Sequence, residues 1–182
     1  DIAQKLQSPQ EQAASYLSLA NTQQTLAVGE EIRRKRNHYN QKALKAYDRV
    51  LSLSSSANTK QQAQLNQLSL FLRLKKWSEA EILWRSLASQ INNLPPSHTG
   101  VYQQINFAKS LVKLADRENF TTNNNFQLPT FAQIDRILAK AIEQAKILGD
   151  KRAQAYAFGD RGNLYEIDSP DRDLNKAETF TK

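Results

Sequence analysis

The chain has 182 residues and a formal charge of +7, with 40% apolar and 24% charged residues. That length and composition suit one compact domain or a short repeat array. The absence of cysteine excludes disulfides, thiol nucleophiles and Cys-ligated metals. Apolar runs fall far short of the roughly 20 residues a membrane span needs. Ala and Leu total 43 against 14 for Val plus Ile, with five Gly and five Pro, which favours helix over strand.

In chain order, Ser8-Pro9 opens a helix over 9–28, and Gly29 breaks its pattern. A second helix is predicted over 30–53, with Tyr39, Ala43, Tyr47, Val50 and Leu51 on one side, before the Ser54-Ser55-Ser56 linker. A third spans 58–74. Ser78 is read as the cap of a fourth that runs to about residue 92 and turns Ala80, Leu83, Trp84, Leu87 and Ile91 inward. Pro95-Pro96 separates it from the next helix. A fifth helix covers 98–117 through Tyr102, Ile105, Ala108, Leu111 and Leu114. Glu118–Pro129 reads as a loop, Thr130 caps a sixth helix, and Gly149 stops it. A seventh spans 151–167, and an eighth starts near Asp171.

Eight helices invite a search for repeats. An apolar-x3-large-x2-apolar spacing recurs at Ala43/Tyr47/Val50, Ala80/Trp84/Leu87 and Ile134/Leu138/Ala141, and Ala177 would start a fourth copy. The step from Ala43 to Ala80 is 37 residues, close to the 34-residue tetratricopeptide period. First helices carry small-x2-large, best at Gly162/Tyr165, which lets two helices cross closely. The expectation is therefore all-α: a tetratricopeptide-like superhelix forming one domain over 1–182. Its helix pairs would be 9–53, 57–93, 97–148 and 150–182, the last truncated.

The stretch from Leu148-Gly149-Asp150 through Gly162-Asn163-Leu164-Tyr165-Glu166 resembles a tetratricopeptide first helix. With Gln64–Leu68, Trp77–Ala80 and Leu94–Ser97, it looks most like the repeats preceding CHAT domains, caspase-like peptidase domains common in cyanobacterial proteins. The resemblance implies a non-catalytic repeat region of a larger protein. In the alternative it implies a module that regulates, or recruits substrate to, a downstream CHAT peptidase. A caspase-like dyad needs a Cys that this chain lacks, so any such activity would reside beyond Lys182.

No intrinsic enzyme activity is expected. His38 and His98 have no His partner at helical spacing, so no metal is expected, and neither a phosphate loop nor a nucleophile elbow is present. Asp168, Asp171 and Asp173 lack the glycine and distal glutamate of a calcium loop and read as a cap and turn. Arg33-Arg34-Lys35-Arg36 spreads around a helix axis and reads as a solvated turn rather than a nucleic-acid site. No cofactor, nucleic acid or membrane span is expected. The expected partner is a protein or peptide, with an acidic or C-terminal segment as the preferred ligand class, or a downstream domain of the same protein. It would be received in a concave groove lined by Arg73, Lys109, Lys113 and Asn163 on first helices. The missing Met implies a processed product or excised fragment, soluble, with cytosol and export both open.

Overall fold

A computed structural model describes residues 8–115, 129–167 and 172–181. The expected loop at Glu118–Pro129 falls almost wholly outside those residues, as do the end of the fifth helix beyond 115 and the turn around Asp168 and Asp171. All regular structure among the described residues is helical, in the order α1 (Pro9–Gly29), α2 (Arg33–Leu53), α3 (Ala57–Arg73), α4 (Trp77–Asn92), α5 (His98–Ala115), α6 (Phe131–Ile147), α7 (Lys151–Glu166) and α8 (Leu174–Thr181).

Two starts differ from expectation. The α2 helix begins at Arg33, because the Glu30 carboxylate accepts the Ile32 N–H at 2.9 Å and holds that residue in a turn. The α4 helix begins at Trp77, which places Ser78 inside the first turn instead of before it. Thr130 behaves as expected. It accepts the Gln133 N–H, and its own N–H donates to the Gln133 side chain at 2.8 Å, a reciprocal cap.

The chain divides into two compact units, residues 1–76 and 77–182. The two helices of the expected pair 57–93 therefore lie in different units.

In residues 1–76, α1 and α2 run antiparallel, as the contacts of Gln10 with Ser54 and of Asn21 and Gln24 with Tyr47 require. Ala20, Ala43, Ala46 and Ala63 let the helices approach closely around Tyr16, Tyr47, Val50 and Leu70. Asn66 donates to Asn21, Gln67 to Asp48 and Arg73 to Asn40, which sets α3 against α2 and parallel to α1. The α3 helix ends in a left-handed residue, Lys75, at φ 57°. The Lys75 and Lys76 N–H groups close back onto Leu72 and Phe71, satisfying carbonyls that the helix end leaves open.

Tyr47 is fully buried, and its hydroxyl lies 2.9 Å from the Asn21 amide oxygen and 2.7 Å from that of Gln24. The one hydroxyl proton faces two acceptor oxygens, and Asn21 Oδ1 also accepts from Asn66 Nδ2 at 2.8 Å. Burial pushes the Tyr47 phenol up to about 12, against weaker opposing effects of Asn66 and Arg73. Because the folded value exceeds the unfolded one near 10, the unfolded chain ionises first as pH rises. Stability that is intact below pH 10 is lost between about pH 10 and 12, by roughly 2–3 kcal/mol in order of magnitude. Urea titrations at pH 8 and pH 11 should show about half of this loss in the native sequence and a smaller one in Tyr47→Phe. Equal losses would remove Tyr47 as the cause.

In residues 77–182, α4 buries Ala80, Trp84, Leu87 and Ile91. Its C-terminal carbonyls find side-chain donors. Gln104 reaches Ile91 O at 3.3 Å, Gln144 reaches Leu94 O at 3.1 Å, and Lys140 reaches Asn92 O. The α5, α6 and α7 helices pack through Val101, Ile105, Ala141, Ile142, Ala145, Ala153 and Ala157. Gly149, at φ 68°, ends α6 in the left-handed conformation expected of it. The next residue, Asp150, at once caps α7 by accepting the Ala153 N–H at 2.9 Å. The α8 helix docks on α7 at Gly162, where an added Cβ would lie 2.7 Å from Thr181 Cγ2 and 3.3 Å from Ala177 O.

Candidate functional site

The four expected groove residues separate between the two units. Arg73 ends α3 in residues 1–76, and its guanidinium donates to Asn40 Oδ1 at 2.9 Å, bracing α3 against α2. Burial lowers its pKa, opposed by the Tyr47 phenol. Lys109, Lys113 and Asn163 lie in residues 77–182, and the fold brings them onto neighbouring helices.

On α5, Tyr102, Asn106, Lys109 and Lys113 fall at i, i+4, i+7 and i+11, within an arc of about 60°. On α7, Arg152, Tyr156, Asp160 and Asn163 fall within about 80°. The two stripes lie side by side. The Tyr102 and Tyr156 rings meet edge to face at 6.4 Å, and Lys109 Nζ stands 3.9 Å from Asp160 Oδ1. Both contacts advance in the same chain direction, so α5 and α7 are parallel, with α6 packed against both. Arg152 covers the Tyr156 ring at 5.5 Å and donates to its hydroxyl at 3.1 Å.

Burial raises the Asp160 pKa, and the ammonium groups of Lys109 and Lys113 work against that rise. Among the described residues the two lysines thus share one half-buried carboxylate, which leaves a cationic excess on this exposed face. Asn106 and Asn163 are exposed on the same face and offer amide donors and acceptors. Sequence reading places Tyr102 among inward residues, whereas the ring is only half buried and edges this face. Tyr156 and Asp160 go unremarked in the sequence. Their signal is the i, i+4 spacing from Arg152, legible only once α7 is known to lie beside α5.

His98 is engaged structurally. His98 Nδ1 lies 2.9 Å from Asp150 Oδ2. The Ala153 N–H and this imidazole together hold the Asp150 carboxyl below its ordinary range. Among the described residues, no three His, Cys, Asp or Glu side chains converge on a point that would hold a metal. No described helix is long and apolar enough to cross a membrane. Comparison with protein-family models, with curated proteins and with solved structures gives no match.

Proposed function

We propose that the chain is a protein-binding scaffold of tetratricopeptide-like helix pairs. The α5/α7 face would receive an extended, acidic segment of a partner protein. What carries the reading is the pair Lys109 and Lys113 on one exposed stripe, with the half-buried Asp160 as the one carboxylate beside them among the described residues. The parallel course of alternate helices, α1 with α3 and α5 with α7, supports the repeat-like arrangement. Such pairs cannot each bury an apolar face alone, and stacking them leaves first-helix side chains on a common surface. The Tyr102/Tyr156 pair supplies an aromatic seat at one end of that surface, and the lysines supply charge at the other.

The test is a labelled, end-blocked peptide of alternating Glu and Pro, which cannot become helical. Binding to the full chain would be followed by fluorescence anisotropy. Reversing both Lys109 and Lys113 to Glu should weaken binding about tenfold, since exposed charge pairs contribute under roughly 1 kcal/mol each. Asp160→Asn should strengthen it severalfold by removing the competing carboxylate. Weakening by Asp160→Asn, or indifference to the lysine reversals, would contradict the reading.

A further inference from the structure

A second surface lies in residues 1–76, on the α1/α2 hairpin. It is a groove of about 370 Å³ whose apolar floor is Tyr16, Leu19 and Ala46. One wall is cationic: Lys42, Lys45 and Arg49 stand on α2 at i, i+3 and i+7. Arg34 and His38 extend the same stripe toward the start of α2, so that five residues fall within an arc of about 80° over roughly 22 Å. Arg34 therefore shares a face with distant cations, and Lys35, seven residues before Lys42, lies at its edge, whereas Arg33 and Arg36 do not. None of Arg34, Lys42, Lys45 and Arg49 forms an ion pair among the described residues. The nearest acid on α2, Asp48, accepts from Gln67 of α3 at 2.9 Å.

The groove faces away from α3. On α1 the contacts toward α3 and its neighbourhood come from Gln10, Asn21 and Gln24, whereas Tyr16, Leu19 and Gln23 lie on the far side of the helix. Leu26 continues the apolar line of Leu19, and the two are 45% and 37% exposed. The Gln23 amide oxygen on the groove wall is buried and has no hydrogen-bond partner among the described residues. Buried acceptors of that kind are rare unless something donates to them.

We infer that this groove docks an acidic amphipathic helix of a partner protein. Its apolar residues, at i, i+3/i+4 and i+7, would cover Leu19 and Leu26. Its Glu or Asp side chains on one flank would meet Lys42, Lys45 and Arg49. Helices present carboxylates at the same i, i+3, i+7 spacing that α2 gives its cations. A phosphate backbone would use the cations and leave the apolar floor uncovered, which is why a helix fits better than a nucleic acid. The site is on a different unit from the α5/α7 face and does not depend on it.

The probe is a blocked 18-residue Leu/Glu/Ala peptide with Leu on one helical face and Glu on its flank. Its scramble of identical composition is the control. Binding to the full chain would be measured by anisotropy at low and physiological salt. The designed helix should bind at least tenfold tighter than the scramble. Affinity should fall at least tenfold in the triple variant Lys42→Glu/Lys45→Glu/Arg49→Glu, and severalfold in Leu19→Asp. It should change less than twofold when Arg85 and Lys151, exposed residues that lie on neither face, are reversed to Glu. Circular dichroism of each variant checks that these exposed substitutions leave the helices intact. Equal binding of the scramble, loss in the Arg85/Lys151 variant equal to that in the triple variant, or no binding at all would overturn the proposal. So would a duplex DNA that binds the stripe tightly and is indifferent to Leu19→Asp.

Discussion

Trp84→Ala is expected to lower the stability of the chain by about 3–5 kcal/mol, the usual cost of removing a large core aromatic. Trp84 is only 5% exposed and stands on the α4 face shared with Ala80, Leu87 and Ile91, the last two of them fully buried. Truncation to a methyl leaves a cavity that these packed neighbours can close only in part. At about 2–4 °C per kcal/mol for a chain of this size, the melting temperature should fall by roughly 6–20 °C. The indole N–H is buried with no partner among the described residues, so Trp84→Phe removes an unsatisfied donor as well as some ring area and should cost much less. If Trp84→Ala melts with the native sequence, the inward assignment of the α4 face is wrong.

Gly162→Leu is expected to displace α8. Any Cβ at Gly162 meets Thr181 Cγ2 at 2.7 Å and the Ala177 carbonyl at 3.3 Å. The Thr181 side chain can turn away, but the carbonyl belongs to the α8 backbone and cannot. A leucine adds three more carbons to that crossing, and overpacking of this kind costs about 1–3 kcal/mol or more. The contacts that hold α8 end in Phe180. Its ring lies 4.3 Å from the Arg161 guanidinium, 5.5 Å from the Tyr165 ring and 6.3 Å from Phe158. Arg161 is itself fixed by a two-point pair with Asp135, at 2.7 and 3.0 Å, so α6, α7 and α8 are tied at one place. Trypsin should therefore cut after Lys176 many times faster in Gly162→Leu, while cleavage within α4 to α7 stays unchanged. An unchanged cleavage rate would show that α8 does not need the close crossing at Gly162.

Much of this fold is legible in the sequence because its signals are local. Ser8-Pro9, Thr130 with Gln133, Gly149 and Pro95-Pro96 each punctuate the chain through one or two turns of backbone, and the helices start or stop beside them. The 3.6-residue recurrence of Ala80, Trp84, Leu87 and Ile91 likewise names a buried face without any knowledge of its neighbour. What covers that face is a long-range fact. For that reason the pairing of 57–74 with the following helix rests on spacing alone, whereas α3 and α4 fall into different compact units. Lys75 shows another blind spot: a lysine occupies the left-handed position that usually advertises itself as glycine. In the candidate site, Lys109 and Lys113 share a stripe by spacing, but Asp160 joins them from another helix 51 residues from Lys109. Arg34 is the converse case. Read with Arg33, Lys35 and Arg36 it disperses around the axis, and only its alignment with Lys42, Lys45 and Arg49 along the whole of α2 gathers it into one face.

The most direct test of the α5/α7 face is a residue-resolved nuclear magnetic resonance titration of the full chain with the blocked Glu/Pro peptide. Amide shifts should concentrate in Tyr102–Lys113 and Arg152–Asn163, saturate together, and disappear when Lys109 and Lys113 are reversed to Glu. Shifts that concentrate on α2 instead, or that spread evenly over every lysine and arginine of the chain, would contradict the assignment of this face as the peptide-binding surface.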